Sequence, residues 1–134
     1  MLIDAMAHLD DPRITAIEPL LERAQTAGIE CIISAGANPL SAEEAKAFPS
    51  SGPRIFRAFG VHPGHVKEAL LDAQLEALSQ HLEQDEVVAI GECGLDRREG
   101  MPPIDAQLSA FKAQLALCYD HKMPFILHSV RATG

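Results

Sequence analysis

The sequence contains little of what proteins use to bind nucleic acid over a broad surface. It has one tyrosine and no tryptophan, so it lacks the aromatic side chains of a base-stacking platform. Its 11 lysines and arginines are outnumbered by 19 aspartates and glutamates, which gives a formal net charge of −8. Nucleic-acid surfaces depend on cations that neutralise phosphates. The charge balance therefore argues against a broad basic surface, but not against a phosphate ester handled through metal ions in a local pocket.

Paired cysteines and long apolar runs are also missing. Cys31, Cys93 and Cys118 are an odd number of widely spaced thiols without a Cys-x-x-Cys motif, which favours free thiols in a reducing compartment over a metal-thiolate site. No apolar run approaches the roughly 20 residues of a membrane span, and the N-terminus lacks a basic and then hydrophobic signal pattern. We therefore expect a cytoplasmic protein without a membrane partner.

What is present is an alternation of strand-like and helix-like segments. Short apolar runs predict five strands: Leu2–Asp4, Ile29–Ser34, Arg54–Gly60, a run that starts at Val87, and Pro124–Ser129. Units of about thirty residues that alternate in this way predict right-handed βα units in a parallel sheet. At 134 residues, the chain has room for one domain, residues 1–134.

Helices are predicted between these strands from caps and spacing. Asp11 and Pro12 resemble an N-cap followed by proline at the first helical position, and Gly28 ends that helix. Ser41–Glu44 is typical of a helix cap and first turn. The predicted buried stripes are Ile14, Ile17, Leu21 and Ala24; then Leu71, Leu75, Leu78 and Leu82; then Ile104, Leu108, Phe111, Leu115 and Cys118.

Polar groups lie at or just beyond the carboxyl end of each predicted strand. They are Asp4 and His8, Ser34, His62, Glu92, and His128. Strand ends that direct such groups to one rim are typical of a (β/α) barrel, whose active sites occupy that face. We therefore predict an α/β fold, a TIM-barrel-like parallel sheet with about five of eight βα units. An open doubly wound sheet is the alternative, but the Gly-rich phosphate loop expected after its first strand is missing.

The stretch Val87–Asp96 is the centre of this prediction. It begins as an apolar, β-branched run, typical of a strand buried on both faces. It ends with two carboxylates, Glu92 and Asp96, where the strand meets its loop. An ionised carboxylate in such a place is costly unless a cation or hydrogen-bond donors pair with it. Glu92 is therefore the first candidate functional residue.

These residues resemble the TatD-type metal-dependent deoxyribonucleases, which are amidohydrolase-like TIM barrels. The family's Asp-Thr-His-x-His-Leu opening corresponds to Asp4–Leu9, and its Gly-x-His-Pro loop corresponds to Gly60–Pro63. Gly-Glu-x-Gly-Leu-Asp is unbroken at Gly91–Asp96, and His-Ser follows at His128–Ser129. Each motif is weak alone, but their order at successive strand ends makes the match strong. It covers nearly all of this chain and about the first half of the family's length.

The resemblance implies a metal-dependent enzyme that cleaves phosphodiester bonds, in DNA or a small ester, with a metal-activated water. It implies that Glu92 bridges the metals and that His8 and His128 are further ligands. Asp96 and His62 join Glu92 as catalytic candidates that position substrate or assist proton transfer. The cofactor is a divalent metal ion, and Mg, Zn and Mn are not distinguished.

Structural interpretations compete with these roles. His8 alone is more often a strand-end residue bound to backbone, and His62 before a proline often only shapes a turn. Asp96 either caps the following loop or takes part in catalysis. Asp4 is a candidate to orient a histidine from behind. His65 and His81 are expected to be solvent-exposed on or near a helix.

The departures from the family pattern support a second hypothesis, a catalytically impaired, truncated remnant of such a barrel. Met6 stands where the family has the first histidine of its opening pair, and a thioether is a poor ligand for hard cations. Ala5 replaces a hydroxyl residue, and the family's later ligands are beyond the sequence. Five of eight strands would leave unpaired edges, so we expect self-association through exposed sheet edges. A third hypothesis is a small nucleotide-binding α/β module, which would be indifferent to Glu92→Ala.

Overall fold

The computed structural model describes residues 2–41 and 47–132. Within them, strands alternate with helices along the chain. The strands are β1 (Leu2–Ala7), β2 (Ile29–Ala35), β3 (Arg54–Phe59), β4 (Val87–Asp96) and β5 (Phe125–Val130). The α-helices are α1 (Glu18–Thr26), α2 (Leu71–His81) and α3 (Ile104–His121), and short 3₁₀ turns cover Pro63–His65 and Glu68–Leu70. No helix in this part of the chain is long and apolar enough to cross a membrane.

The five strands form one sheet in the order in which they occur along the chain. The order is β1-β2-β3-β4-β5, and each neighbouring pair is parallel. A doubly wound sheet reverses its strand order at a switch point, whereas a (β/α) barrel adds each strand beside the previous one. The topology therefore rules out the open doubly wound alternative and gives the half-barrel that the sequence predicts. All strand carboxyl ends lie on one rim.

β4 is the most deeply buried strand of the sheet, as its composition predicts. Most of its residues are buried, and Ile90 and Cys93 are fully inaccessible to solvent. They pack with Phe59 of β3, Leu78 of α2 and Cys118 of α3 in the largest apolar cluster. This cluster fixes the sheet against α2 and α3, and so determines where the end of β4 lies.

Glycines allow β4 to lie unusually close to its neighbours. A Cβ on Gly60 would be 2.6 Å from the Cα of Gly91. Gly94 has a φ of +147°, and a Cβ there would overlap the carbonyl oxygen of His128. Side chains at these positions would push apart the strand ends that carry the polar residues.

The first helix begins later than predicted. α1 begins at Glu18 with Pro19 in its first turn, whereas the Asp11 carboxylate binds the guanidinium and backbone N–H of Arg13. A helix from Pro12 would place Pro19 in its interior, where the ring removes one hydrogen bond and clashes with the preceding turn. The predicted stop is confirmed, since α1 ends just before Gly28, whose φ is +84°.

Two other details differ from prediction. β1 continues to Ala7, so His8 directly follows a strand rather than a loop. The deepest stripe of α3 consists of Ala106, Gln107, Ala110, Gln114 and Cys118, whereas the predicted residues Leu108, Phe111 and Leu115 are only half-buried. Small side chains bring this helix close to the sheet, and its larger apolar groups lie at the flanks. The helix start predicted at Ser41–Glu44 lies largely outside the described residues.

Candidate active site

The rim of the half-barrel holds an open cleft of about 590 Å³. His8 follows β1, His62 follows β3, and Glu92 lies within β4; all three line the cleft. His128, on β5, contacts both His62 and Glu92. The structure therefore brings together all the residues predicted to be metal ligands and, with Asp96, all the predicted catalytic residues. Their roles stay predictions.

Glu92 lies between two imidazoles that come from opposite edges of the sheet. Its side chain is largely buried, at 12% exposed, and the residue follows a cis peptide bond after Gly91. Its Oε2 lies 3.2 Å from His8 Nε2, and its Oε1 lies 3.2 Å from His128 Nδ1. Each carboxylate oxygen therefore faces a different ring.

The hydrogen bonds of His8 determine which ring nitrogen carries a proton. Its Nδ1 lies 2.7 Å from the carbonyl oxygen of Ala35, and a carbonyl only accepts, so Nδ1–H is the donor. In the neutral ring, Nε2 then directs a lone pair at the Glu92 carboxylate. Two acceptors facing each other need a cation between them, either a proton or a metal ion.

His128 repeats this arrangement on the other side of Glu92. Its Nε2 donates to Asp96 Oδ2 at 3.0 Å, so its Nδ1 is the unprotonated nitrogen of the neutral ring and faces Glu92. His62 is consistent with this assignment: its Nδ1 accepts from the Gly64 N–H at 3.0 Å, which leaves Nε2–H to donate to His128 Nδ1 at 3.2 Å. Both rings beside Glu92 thus donate outward through one nitrogen. The inward nitrogen of His8 presents its lone pair to Glu92, whereas the inward nitrogen of His128 lies beside Glu92 and accepts the His62 N–H.

His62 is held neutral near pH 7. Burial lowers its pKa to about 4, and the neighbouring His128 acts in the same direction. Its Nε2–H is therefore a hydrogen-bond donor at the edge of the cleft rather than a permanent positive charge. A neutral His62 is consistent with a residue that donates a hydrogen bond to substrate. It is equally consistent with the alternative role, in which His62 only shapes the turn before Pro63.

Asp96 lies behind His128, out of the cleft. It is fully buried, and Arg98 Nε and Nη2 donate hydrogen bonds to its carboxylate oxygens at 2.5 to 3.0 Å. Hydrogen bonds from Arg98 hold the pKa of this carboxyl well below its usual range. The Arg98 backbone N–H also donates to Oδ1 at 2.9 Å, so Asp96 caps its loop and orients His128 at the same time. Sequence reasoning missed Arg98, whose only signal is its position two residues after the carboxylate.

The nitrogen and oxygen donors are of the types that bind divalent ions, but few of them meet at one point. Nitrogen and oxygen donors 3.2 Å apart can both contact one ion at about 2.1 Å, and both His–Glu pairs meet this condition. However, no three His, Cys, Asp or Glu side chains of residues 2–41 and 47–132 gather around one point. The arrangement is one carboxylate with an imidazole 3.2 Å from each of its oxygens. Met6 adds no third donor, and Asp4 accepts the Met6 backbone N–H instead of orienting a histidine.

Several cleft residues were not predicted from the sequence. Asp10, Asp11, Arg13 and Ser41 line the cleft, and so does His65, which was expected only to be exposed. Arg13 lowers the pKa of Asp11 to about 2 through hydrogen bonds, while burial raises the pKa of Asp10. The sequence feature that could have identified Asp10, Asp11 and Arg13 is their position shortly after the end of β1. His81 is not the exposed residue that was expected, because its ring stacks on Phe59 with centroids 4.0 Å apart.

Comparisons with known proteins find relatives of this chain. The family model described as TatD-related DNase matches residues 3–134. The 3'-5' ssDNA/RNA exonuclease TatD of Pantoea vagans is 36% identical over 112 residues, which cover 83% of this chain and 43% of the relative. An uncharacterized metal-dependent hydrolase of Bacillus subtilis, YabD, is 33% identical over 136 residues, which cover 99% of this chain and 52% of the relative.

A solved structure gives the same result for the fold. The crystal structure of a TatD homologue from Escherichia coli K12 matches with a TM-score of 0.84 and 34% identity, over 97% of this chain and 51% of that one. This match confirms the predicted barrel-like fold with part of the barrel present. The chain spans about half the length of the relatives it matches.

Proposed function

The chain belongs to the TatD-related DNase family, and from this premise we propose that it is a metal-dependent hydrolase that cleaves phosphodiester bonds of DNA. The observation that carries the proposal is the position of Glu92 between the unprotonated nitrogens of two imidazoles. The substrate class is supported by the Pantoea relative, which is described as an ssDNA/RNA exonuclease. A small phosphodiester is the alternative substrate, because its hydrolysis needs the same chemistry.

His8, Glu92 and His128 are the residues that would hold the metal. A bound divalent ion polarises a phosphoryl oxygen and lowers the pKa of its water. The ring N–H groups that point away from Glu92 support this assignment, because metal-binding histidines usually donate their other N–H to a carbonyl or carboxylate. Ala35 and Asp96 accept these two bonds. The donors do not distinguish among Mg, Mn and Zn.

His62 and Asp96 would take different roles. The His62 ring, kept neutral by burial, donates its Nε2–H to His128 Nδ1. With His128 Nδ1 committed to a metal ion, that N–H would be available to a phosphoryl oxygen at the cleft edge. Asp96 would not contact substrate, because it is sealed behind His128; it would keep the His128 proton on Nε2. We therefore assign Asp96 a positioning role rather than a catalytic one.

Metal content tests the proposal. Purified protein would be incubated with Mn²⁺ or Zn²⁺, dialysed, and analysed for bound metal and for cleavage of single-stranded DNA and bis(p-nitrophenyl) phosphate. Glu92→Gln should lower metal affinity at least tenfold and abolish cleavage, because it removes the negative charge between the two imidazoles. Glu99→Gln, an exposed carboxylate beyond the same strand, should change neither. A protein that binds no divalent ion and cleaves neither substrate would contradict the proposal.

The same measurement addresses the second candidate, an impaired barrel remnant. The observation that favours it is that no three His, Cys, Asp or Glu side chains among the described residues meet at one point, and that a half-exposed methionine stands in the histidine position. Met6→His should then raise metal affinity by restoring the family's opening pair. If the unaltered protein is inactive and Met6→His gains metal and turnover, the remnant hypothesis is correct for this chain.

We also propose that the chain associates with a second copy through its sheet edges. β1 and β5 are the edge strands of the sheet, and they expose Leu2 (58%), Ile3 (53%) and Leu127 (56%). Unpaired edges with apolar side chains favour strand pairing between chains. Light scattering should show a dimer that Leu127→Lys converts to monomer. Tyr119→Lys, which removes an exposed aromatic from α3, should leave the dimer intact. A monomer at all concentrations would contradict this proposal.

We propose a cytoplasmic location because the three cysteines are free thiols. Cys31, Cys93 and Cys118 are all free, and the last two are buried. Free thiols are usual in a reducing compartment. Cell fractionation with an antibody to the protein would test the location, and a membrane or secreted fraction would contradict it.

A further inference from the structure

Helix α3 buries two glutamines on the face that meets the sheet. Gln107 is 1% exposed and Gln114 is 0% exposed. They are separated by two helical turns, so they lie on the same face. A buried carboxamide is costly unless its oxygen and its N–H groups find partners. An apolar residue would fill the same space without that cost, so these amides need a specific explanation.

Each glutamine binds both backbone groups of a single residue. Gln107 Oε1 accepts from the Asp96 N–H at 2.8 Å, and its Nε2 donates to the Asp96 carbonyl at 2.9 Å and to the Pro102 carbonyl. Gln114 Oε1 accepts from the Val61 N–H at 2.8 Å, and its Nε2 donates to the Val61 carbonyl at 3.1 Å and to the Ala110 carbonyl. The planar amide thus pairs with the peptide backbone much as a neighbouring strand would.

The two residues that are held in this way flank the same imidazole. Asp96 binds His128 Nε2, and Val61 precedes His62, which binds His128 Nδ1. The loop that follows β3 and the end of β4 are therefore tied to one rigid helix. The distance between the two groups that contact His128 depends on that helix.

We propose that α3 is a positioning element of the site, and that Gln107 and Gln114 are its positioning residues. Gln114 keeps His62 beside Nδ1 of His128, and Gln107 keeps Asp96 beside Nε2 of the same ring. The proposal rests on the proposed function only in taking these side chains to be the working groups. The geometry itself is measurable without metal or substrate.

NMR of the full chain with Gln107→Met and Gln114→Met tests the proposal. Methionine keeps the length and volume of glutamine but removes the amide. The readouts are the NOE between the His62 and His128 rings, whose centroids are 4.3 Å apart, and the slowly exchanging Nε2–H proton of His128. Gln114→Met should lose the NOE and retain the imidazole proton, and Gln107→Met should do the reverse. Neither result depends on turnover, so failure of the proposed function leaves this test intact.

Cys118→Ala is the matched control. It removes a buried α3 side chain that packs in the apolar cluster, so it lowers stability without breaking a bond to the rim. It should change neither readout. Loss of both readouts in this variant would show that any destabilisation of α3 disturbs the rim, and would contradict a specific positioning role for the glutamines. Folded methionine variants that keep both readouts would overturn the proposal.

A conservative variant covers the case in which methionine prevents folding. Burial raises the pKa of a glutamic acid, so in mildly acidic solution the Gln114→Glu side chain can both donate to and accept from Val61. It should retain the ring NOE at pH 5.5. A folded Gln114→Glu protein that has lost the NOE would contradict the proposal.

Discussion

The Asp96 carboxylate lies 3.0 Å from Nε2 of His128, the ring nitrogen opposite the one that faces Glu92. One carboxylate therefore orients the ring from behind, while the other lies beside its unprotonated nitrogen. Arg98 keeps Asp96 ionised, so this orientation does not depend on pH in the neutral range. Removing the charge of Asp96 should weaken a site that Asp96 itself does not touch.

Asp96→Asn is expected to lower metal affinity about 10- to 100-fold, the usual effect of losing a residue behind a ligand. The reason is that an amide no longer holds the Nε2–H tautomer as strongly, and His128 Nδ1 is then less available. Titration calorimetry with Mn²⁺ or Zn²⁺ measures the change. Asp105→Asn, on the exposed face of α3, is the control. Unchanged affinity in Asp96→Asn would show that Asp96 only caps its loop.

Gly94→Ala is expected to destabilise the fold by at least about 3 kcal/mol. The new methyl group would overlap the His128 carbonyl oxygen, and the backbone has a φ of +147°. Gly100→Ala shares a positive φ of +83° but has open space around it, so it should cost only about 1 kcal/mol. Urea unfolding of both variants separates steric overlap from backbone strain. Equal losses would mean that β5 moves easily away from β4.

The three thiols are expected to differ in reactivity. Cys93 is fully buried, and burial raises its pKa to about 12; burial also raises the pKa of Cys118. Cys31 is only partly buried. Iodoacetamide at pH 8 should therefore modify Cys31 first, and mass spectrometry would identify the site. Early modification of Cys93 in folded protein would contradict the burial of β4.

Alkaline pH should remove stability through Cys93. Its folded pKa of about 12 lies above the ordinary value of 9.0, so the unfolded chain releases its proton first. The contribution is complete below pH 9 and is lost as pH rises towards 12, by up to about 1.4 kcal/mol per pH unit. Urea unfolding of the unaltered protein and Cys93→Ala between pH 8 and 11 measures it. The difference in stability between the two proteins should shrink as pH rises, and a constant difference would contradict the assignment.

Local patterns in the sequence were enough for the strands and for the rim. Short apolar runs identified β2 to β5 to within two residues at each end, because such runs with flanking turn residues are typical of strands in a parallel sheet. The short runs also placed His8, His62, Glu92 and His128 at strand ends, and parallel strands bring those ends to one side. The start of α1 was wrong because two prolines each suited a helix start, and only the position of Pro19 inside the longer helix distinguishes them.

Helix faces were harder to predict than strand ends. The large apolar residues of α3 suggested a stripe through Leu108, Phe111 and Leu115, but Gln107 and Gln114 are buried more deeply. Hydropathy ranks glutamine as a surface residue, and only a partner elsewhere in the chain makes its burial favourable. For Gln114 that partner is Val61, 53 residues away.

Residue types and their order along the chain thus settled the α/β class, the parallel rim and the family resemblance, since these follow from local periodicity and chain direction. Which nitrogen of each histidine faces Glu92, which arginine holds Asp96, and which glutamines tie the strand ends to α3 were decided only by tertiary structure. Hydrogen bonds such as the one between His62 and His128, 66 residues apart, depend on side-chain positions to within a few tenths of an ångström. No local pattern carries that information.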